Sequence, residues 1–191
     1  MDNLQGSRIV RGNLEYGRRE SDFYSTPPEA TVALMRFLQE RNWIERDTKF
    51  WDPACGENDM VDAVRDLGYY CMGTDIVYGD TQDFFEIDIP DIDFIITNPP
   101  FGLAVEFIHR CISIDKPFAL LMKSHFYHAK SRYDLFIDNP PDFVLPLTWR
   151  PNFFFKRYIK SGSLMDMSWY VWLSSGKYKT TLYLPLRKPV L

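Results

Sequence analysis

Three short runs of this chain carry residues that could act together on a polar substrate. In Asn98-Pro99-Pro100-Phe101 a carboxamide precedes two ring-locked residues and an aromatic. Proline fixes the backbone torsion and has no N–H, so the chain here is stiff and its carbonyls are left to accept. The Asn98 side-chain oxygen and the Pro99 carbonyl make two acceptors, enough for both hydrogens of a planar amine, and Phe101 offers a face for stacking. Such a set acts by positioning and electrostatics, with no covalent intermediate. The second run is Asp52-Pro53-Ala54-Cys55-Gly56, where Gly56 lets a ligand approach the backbone and the helix that follows offers free N–H groups. The third is Asp75, about twenty residues further on, at the spacing of a carboxylate that takes two ribose hydroxyls.

These residues need strands to hold them. Lys49–Asp52, Tyr69–Asp75 and Asp93–Asn98 each read as a short apolar strand ending in an acid or an amide, and Phe118–Lys123 is a continuous apolar run of the kind buried in a parallel sheet. Helical spacing fills the gaps. It runs from Thr26-Pro27-Pro28-Glu29 to about Asn42, from Asp59 to Leu67 with a stop at Gly68, and from Leu103 to Ile114. Alternating strands and helices predict an α/β domain, whose ligands bind at the carboxyl ends of the strands. After residue 140 the pattern changes. Phe143–Trp149, Met167–Leu173 and Tyr178–Leu184 read as strands that finish the sheet in antiparallel fashion. Residues 1–24 are polar and read as a loosely packed arm; 25–191 read as a single domain.

Composition narrows the function classes. Of 191 residues, 46% are hydrophobic and 25% charged, a globular balance that excludes intrinsic disorder. No apolar run is long enough to span a bilayer, so no membrane partner is expected. Three cysteines, Cys55, Cys71 and Cys111, are too few and scattered for a disulfide framework, which points to a cytoplasmic compartment. His125 and His128 lack partners at metal-ligand spacing, His109 lies in an amphipathic stretch, and no metal site is expected. The net charge of −4 hides an asymmetry. Residues 51–122 carry 3 basic and 14 acidic groups, whereas residues 123–191 carry 11 basic and 4 acidic. An acidic middle suits a neutral or cationic small ligand, and a basic last third suits a phosphate-bearing partner.

In this order, Ser25-Thr26-Pro27-Pro28-Glu29, Asp52 to Gly56 and Thr97 to Phe101 resemble the amino-methyltransferases that use S-adenosyl-L-methionine. Over roughly residues 22–155 the wording is most similar to DNA N6-adenine methyltransferases whose cofactor motifs precede the catalytic one, short phage and prophage members above all. The resemblance implies a Rossmann-like class I fold with a mostly parallel seven-stranded sheet flanked by helices. It implies methyl transfer to the exocyclic N6 amine of adenine in DNA, with the base flipped out of the duplex. Asn98, Pro99, Pro100 and Phe101 would be catalytic. Thr26, Pro27, Asp52, Ala54 and Gly56 would hold the methionine end of the cofactor and Asp75 its ribose. Asp83 and Phe84 would hold its adenine, in preference to Asp88. The family often has a second glycine two residues after the first; this chain has Asn58 there.

The last third supplies the expected substrate contacts: Lys123, Arg132, Arg150, Phe153 and Phe154, basic groups beside aromatics. RNA adenine and protein glutamine are alternative acceptors, because their methyltransferases share the Asn-Pro-Pro-aromatic signature. A non-catalytic relative that only binds cofactor or nucleic acid is a third reading. Few residues remain for target recognition, so a short target sequence, a homodimer or a recognition partner is expected.

Overall fold

The computed structural model describes residues 25–78, 82–152, 154–155, 159–160, 165–173 and 181–191. The predicted arm, Phe153, and the first residues of the last predicted strand lie outside them.

Helix α1 (Pro28–Glu40) opens on a proline whose torsion is preset for a first turn, with Glu29 beside the positive helix end. It leads into strand β1 (Lys49–Asp52), helix α2 (Asp59–Asp66), strand β2 (Tyr70–Gly73) and strand β3 (Phe94–Thr97). A single 3-10 turn at Phe101–Leu103 feeds helix α3 (Ala104–Ile114), which is followed by strand β4 (Phe118–Lys123). A short helix α4 (Tyr133–Asp138), which the sequence reading did not place, precedes strand β5 (Phe143–Pro146). Two-residue strands β6 (Phe154–Phe155) and β7 (Ile159–Lys160) pair with each other in antiparallel fashion. Strands β8 (Met167–Trp172) and β9 (Leu182–Tyr183) complete the list.

The main sheet has seven strands in the order β2-β1-β3-β4-β8-β5-β9. The expected antiparallel finish holds for one strand only. β8 runs against both β4 and β5, while β9 runs parallel to β5. The sheet is therefore mostly parallel, with one reversed strand near its middle. Side chains alternate between the faces. Phe50 and Ile96 pack with Leu34, Leu38 and Val61 from α1 and α2 on one side. Trp51 and Ile95 pack with Phe107 and Ile108 from α3 on the other.

The order places a topological switch at β1. The chain leaves β1 to pair β2 on one side, then returns to pair β3 on the other. A crevice opens where two such connections diverge, at the carboxyl ends of the strands. Asp52 ends β1, and Asn98 follows the last residue of β3.

Candidate functional site

The crevice at that switch is a cleft bordered by all three predicted motifs: Thr26, Asp52, Ala54, Gly56, Asp75, Asn98, Pro99, Pro100 and Phe101. Ser25, Cys55, Glu57, Asp59 and Met60 also border it. Four carboxylates lie among these residues and no lysine or arginine does, so the cleft is electrostatically suited to a cation.

The turn after β1 is tied from within. Gly56 stands at φ 53°, a backbone form that a side chain disfavours. Its N–H donates to Asp75 Oδ2 at 3.1 Å, and the N–H groups of Val77 and Tyr78 donate to Asp75 Oδ1 at 2.8 and 3.3 Å. Asp52 Oδ1 accepts from the Ala54 N–H at 3.1 Å. Trp51 Nε1 donates to Thr74 Oγ1 at 2.9 Å and joins the ends of β1 and β2. Burial pushes the Asp52 carboxyl up to about 7, and the nearby Asp75 charge adds to this while the Ala54 N–H opposes it. The Thr97 hydroxyl, buried and in no hydrogen-bond geometry, lies near enough to favour the charged form as well. Burial and the Asp52 and Asp75 charges push the Cys55 thiol up to about 12, so it stays protonated and is no nucleophile at neutral pH.

Asn58 adopts the left-handed conformation that a glycine would favour, at φ 70°. Asparagine tolerates it better than most residues. Its side chain lies beside Gly73: a Cβ there would stand 2.6 Å from Asn58 Oδ1. Asn58 is not among the residues bordering the cleft. Asn58, where the resemblance implies a second glycine, is thus accommodated by the bare backbone of β2, behind the turn.

The turn after β3 is different. Asn98 Nδ2 donates to Thr26 Oγ1 at 3.1 Å, whereas Asn98 Oδ1 is buried and has no partner among the described residues. Pro99 is buried beside it, and the Phe101 ring carries the Lys123 ammonium 4.5 Å from its centre. The strap from Ser25 to α1 closes the top. Ser25 Oγ donates to Asp59 Oδ2 at 2.5 Å, while Thr26 holds Asn98, so two adjacent residues bridge both turns.

Pro27, Asp83, Phe84, Arg132 and Arg150 are not among the residues that border the cleft. Pro27 is buried at the start of α1, where its carbonyl accepts from the Ala30 N–H. Asp83 Oδ1 accepts from the Phe85 N–H at 2.9 Å and braces a turn. The Phe84 ring is 3% exposed, 5.4 Å from Trp51 and 4.8 Å from Phe107, and is part of the core. The competing Asp88 is exposed. The Arg132 guanidinium lies 4.0 Å over the Phe126 ring and donates to the Phe126 carbonyl; Arg150 pairs with Asp166 at 2.9 Å. Phe154 lies in β6, and Phe153 is outside the described residues. The Ser25 and Asp59 contact was missed by sequence reasoning, although STPPE was its signal. No group of three or more potential metal ligands occurs among the described residues, and no helix there is long and apolar enough to cross a membrane.

No family model matches the sequence, and no curated protein matches it significantly. Solved structures do. One from Listeria monocytogenes, named for the class I S-adenosylmethionine-dependent methyltransferases, is 13% identical with a TM-score of 0.61, over 96% of this chain and 74% of that one. The M protein of the type I restriction enzyme EcoKI is 13% identical with a TM-score of 0.53, over 85% of this chain and 48% of its own. Magnesium protoporphyrin IX methyltransferase from Synechocystis, solved with bound S-adenosylmethionine, is 14% identical with a TM-score of 0.51, over 90% of this chain and 99% of its own. The fold is the Rossmann-like class I methyltransferase fold. Fold alone leaves the reaction to be argued from the site.

Proposed function

We propose that this chain transfers a methyl group from S-adenosyl-L-methionine to the exocyclic N6 amine of adenine in DNA. The observation that carries the reading is the buried, unpartnered Asn98 Oδ1 beside the acidic cleft. A buried acceptor without a donor costs stability, so its retention at a cleft wall supports a ligand that brings the hydrogen.

The residues of the cleft fit the cofactor. Asp52, Ala54 and Gly56 would hold its methionine end, and Asp75 its ribose. When bound, the cofactor would supply an electrophilic methyl on a positively charged sulfur, a charge that suits the acidic lining of the cleft.

The chain's own part is positioning. Asn98 Oδ1 and the Pro99 carbonyl accept the two hydrogens of the substrate amine. An amine so held is drawn out of conjugation, and its lone pair is exposed toward the cleft. Phe101 stacks on the base and keeps the nitrogen in line. No strong general base is needed, because the amine becomes acidic only as the methyl arrives. An adenine inside a duplex must be flipped out to reach the cleft. The basic last third supports a nucleic acid as the carrier of that amine, and Lys123, whose ammonium lies 4.5 Å from the Phe101 ring centre, is a cation within reach of its phosphate.

The test is incubation of the purified chain with methyl-labelled S-adenosylmethionine and unmethylated DNA, bulk RNA or total protein. Label recovered as N6-methyladenine from DNA is the expected result. Label confined to RNA or to protein glutamine would keep the site chemistry and replace the substrate. Cofactor binding without label in any acceptor would favour a binding module.

A further inference from the structure

We propose that Thr26 is a positioning residue that sets which end of the Asn98 carboxamide faces the substrate. The inference rests on the methyl-transfer reading above and gives Thr26 a part separate from holding cofactor. A carboxamide has one donor end and one acceptor end of nearly equal size. An amine substrate needs the acceptor end; the reversed amide would present N–H groups to N–H groups. Nothing in Asn98 itself decides between the two.

A hydroxyl can give or take a hydrogen bond, and in this structure the strap takes one from the donor end. Thr26 Oγ1 accepts from Asn98 Nδ2 at 3.1 Å, which engages the donor end and leaves Oδ1 without a partner. Thr26 is only 6% exposed, so water competes poorly for this contact. Its place is held from both sides. Ser25 Oγ is bonded to Asp59 Oδ2 at the start of α2, and the Pro27 carbonyl accepts from the Ala30 N–H at 3.0 Å. The Ala30 carbonyl in turn accepts from the buried Trp169 Nε1 at 2.9 Å, which ties the start of α1 to β8. The threonine hydroxyl is thus a fixed reference point contributed from outside the sheet, and it acts on the substrate through Asn98.

The test compares Thr26→Val, which keeps the shape and removes the hydroxyl, with Thr26→Ser, which keeps the hydroxyl. With the acceptor identified above, Thr26→Val is expected to lower kcat by about 10- to 100-fold, in line with the cost of misplacing a reacting group. Thr26 also borders the cleft, so cofactor Kd is expected to rise, but by far less than kcat falls, and Thr26→Ser should recover most of the rate. A wild-type kcat in Thr26→Val, or a loss of cofactor affinity as large as the loss of rate, would overturn the proposal. A second readout is independent of activity. The Asn98 side-chain amide resonances, assigned by their loss in Asn98→Asp, should move on Thr26→Val and return on Thr26→Ser. Unmoved resonances would overturn the proposal even in an active enzyme. A wild-type chain that methylates nothing would refute the functional reading, and the resonances would still decide whether Thr26 orients Asn98.

Discussion

The two turns that face each other across the cleft solve opposite problems. After β1 and β2, the carboxylates of Asp52 and Asp75 accept from backbone N–H groups of the turns themselves, so this wall is a finished shape. After β3, the Asn98 carboxamide is paired at one end and buried without a partner at the other. The first wall can select a ligand by charge and outline with little rearrangement. The second is incomplete until a donor arrives. The difference separates binding from chemistry within one cleft, and each side can be broken without the other.

The largest expected effect falls on the open side. Asn98→Ala should reduce methyl transfer by about 100-fold or more, as does loss of one preorganised polar contact in other enzymes, while calorimetry shows cofactor affinity within about threefold of wild type. A parallel fall in affinity would mean that the two walls are not separable.

The closed side should report itself through pH. The Asp52 carboxyl sits at about 7 in the folded chain against 3.8 ordinarily. The folded state therefore holds the proton more tightly than the unfolded one, and stability falls as pH rises through that window. The decline attributable to this group is on the order of a few kcal/mol, and Asp52→Asn should remove it. Urea unfolding of both proteins at pH 5 and pH 8 checks the sign; identical slopes would place the charge burden elsewhere.

Behind the closed side, Gly73→Ala would drive a methyl to 2.6 Å from Asn58 Oδ1. A loss of about 1–3 kcal/mol is expected from such overpacking. Asn58→Gly should relieve part of it, since it deletes the nearest atom and suits the positive φ while Cys55 Cβ and Sγ remain 3.0 Å away, and a thermal double-mutant cycle would give the coupling. The smallest effect is expected far from both walls. Breaking the exposed pair with Arg150→Ala should alter stability by less than about 1 kcal/mol, and a filter assay on DNA would show whether the freed Asp166 or the lost cation matters more.

The contrast between the walls also marks what the sequence could convey. Strand ends were legible because an apolar run must stop where a charged or amide group stands, and Asp52, Asp75 and Asn98 each mark such a stop. All three border the cleft. The direction of β5 and β9 was not legible, because an apolar strand looks the same from either end; only the connection lengths bear on it. Helix α4 was too short to show a period. Phe84 illustrates a further limit: the same letter serves a ring that stacks on a ligand and a ring that fills a core, and here it lies against Trp51 and Phe107. The contact from Thr26 to Asn98 spans 72 residues and has no local signature at all.

The reversed strand has a consequence for how the chain reaches this state. β4 and β5 pair with β8 and not with each other. During synthesis the apolar run FALLMK therefore leaves the ribosome with an open edge that nothing closes until Met167–Trp172 has emerged. Unpaired apolar edges invite association with other chains, and late long-range pairing is slow. Nascent chains halted before residue 167 should be captured by chaperones or aggregate, whereas chains released after β8 should not. The last third of the sequence, whatever it grips, also acts as the keystone that joins the two halves of the sheet.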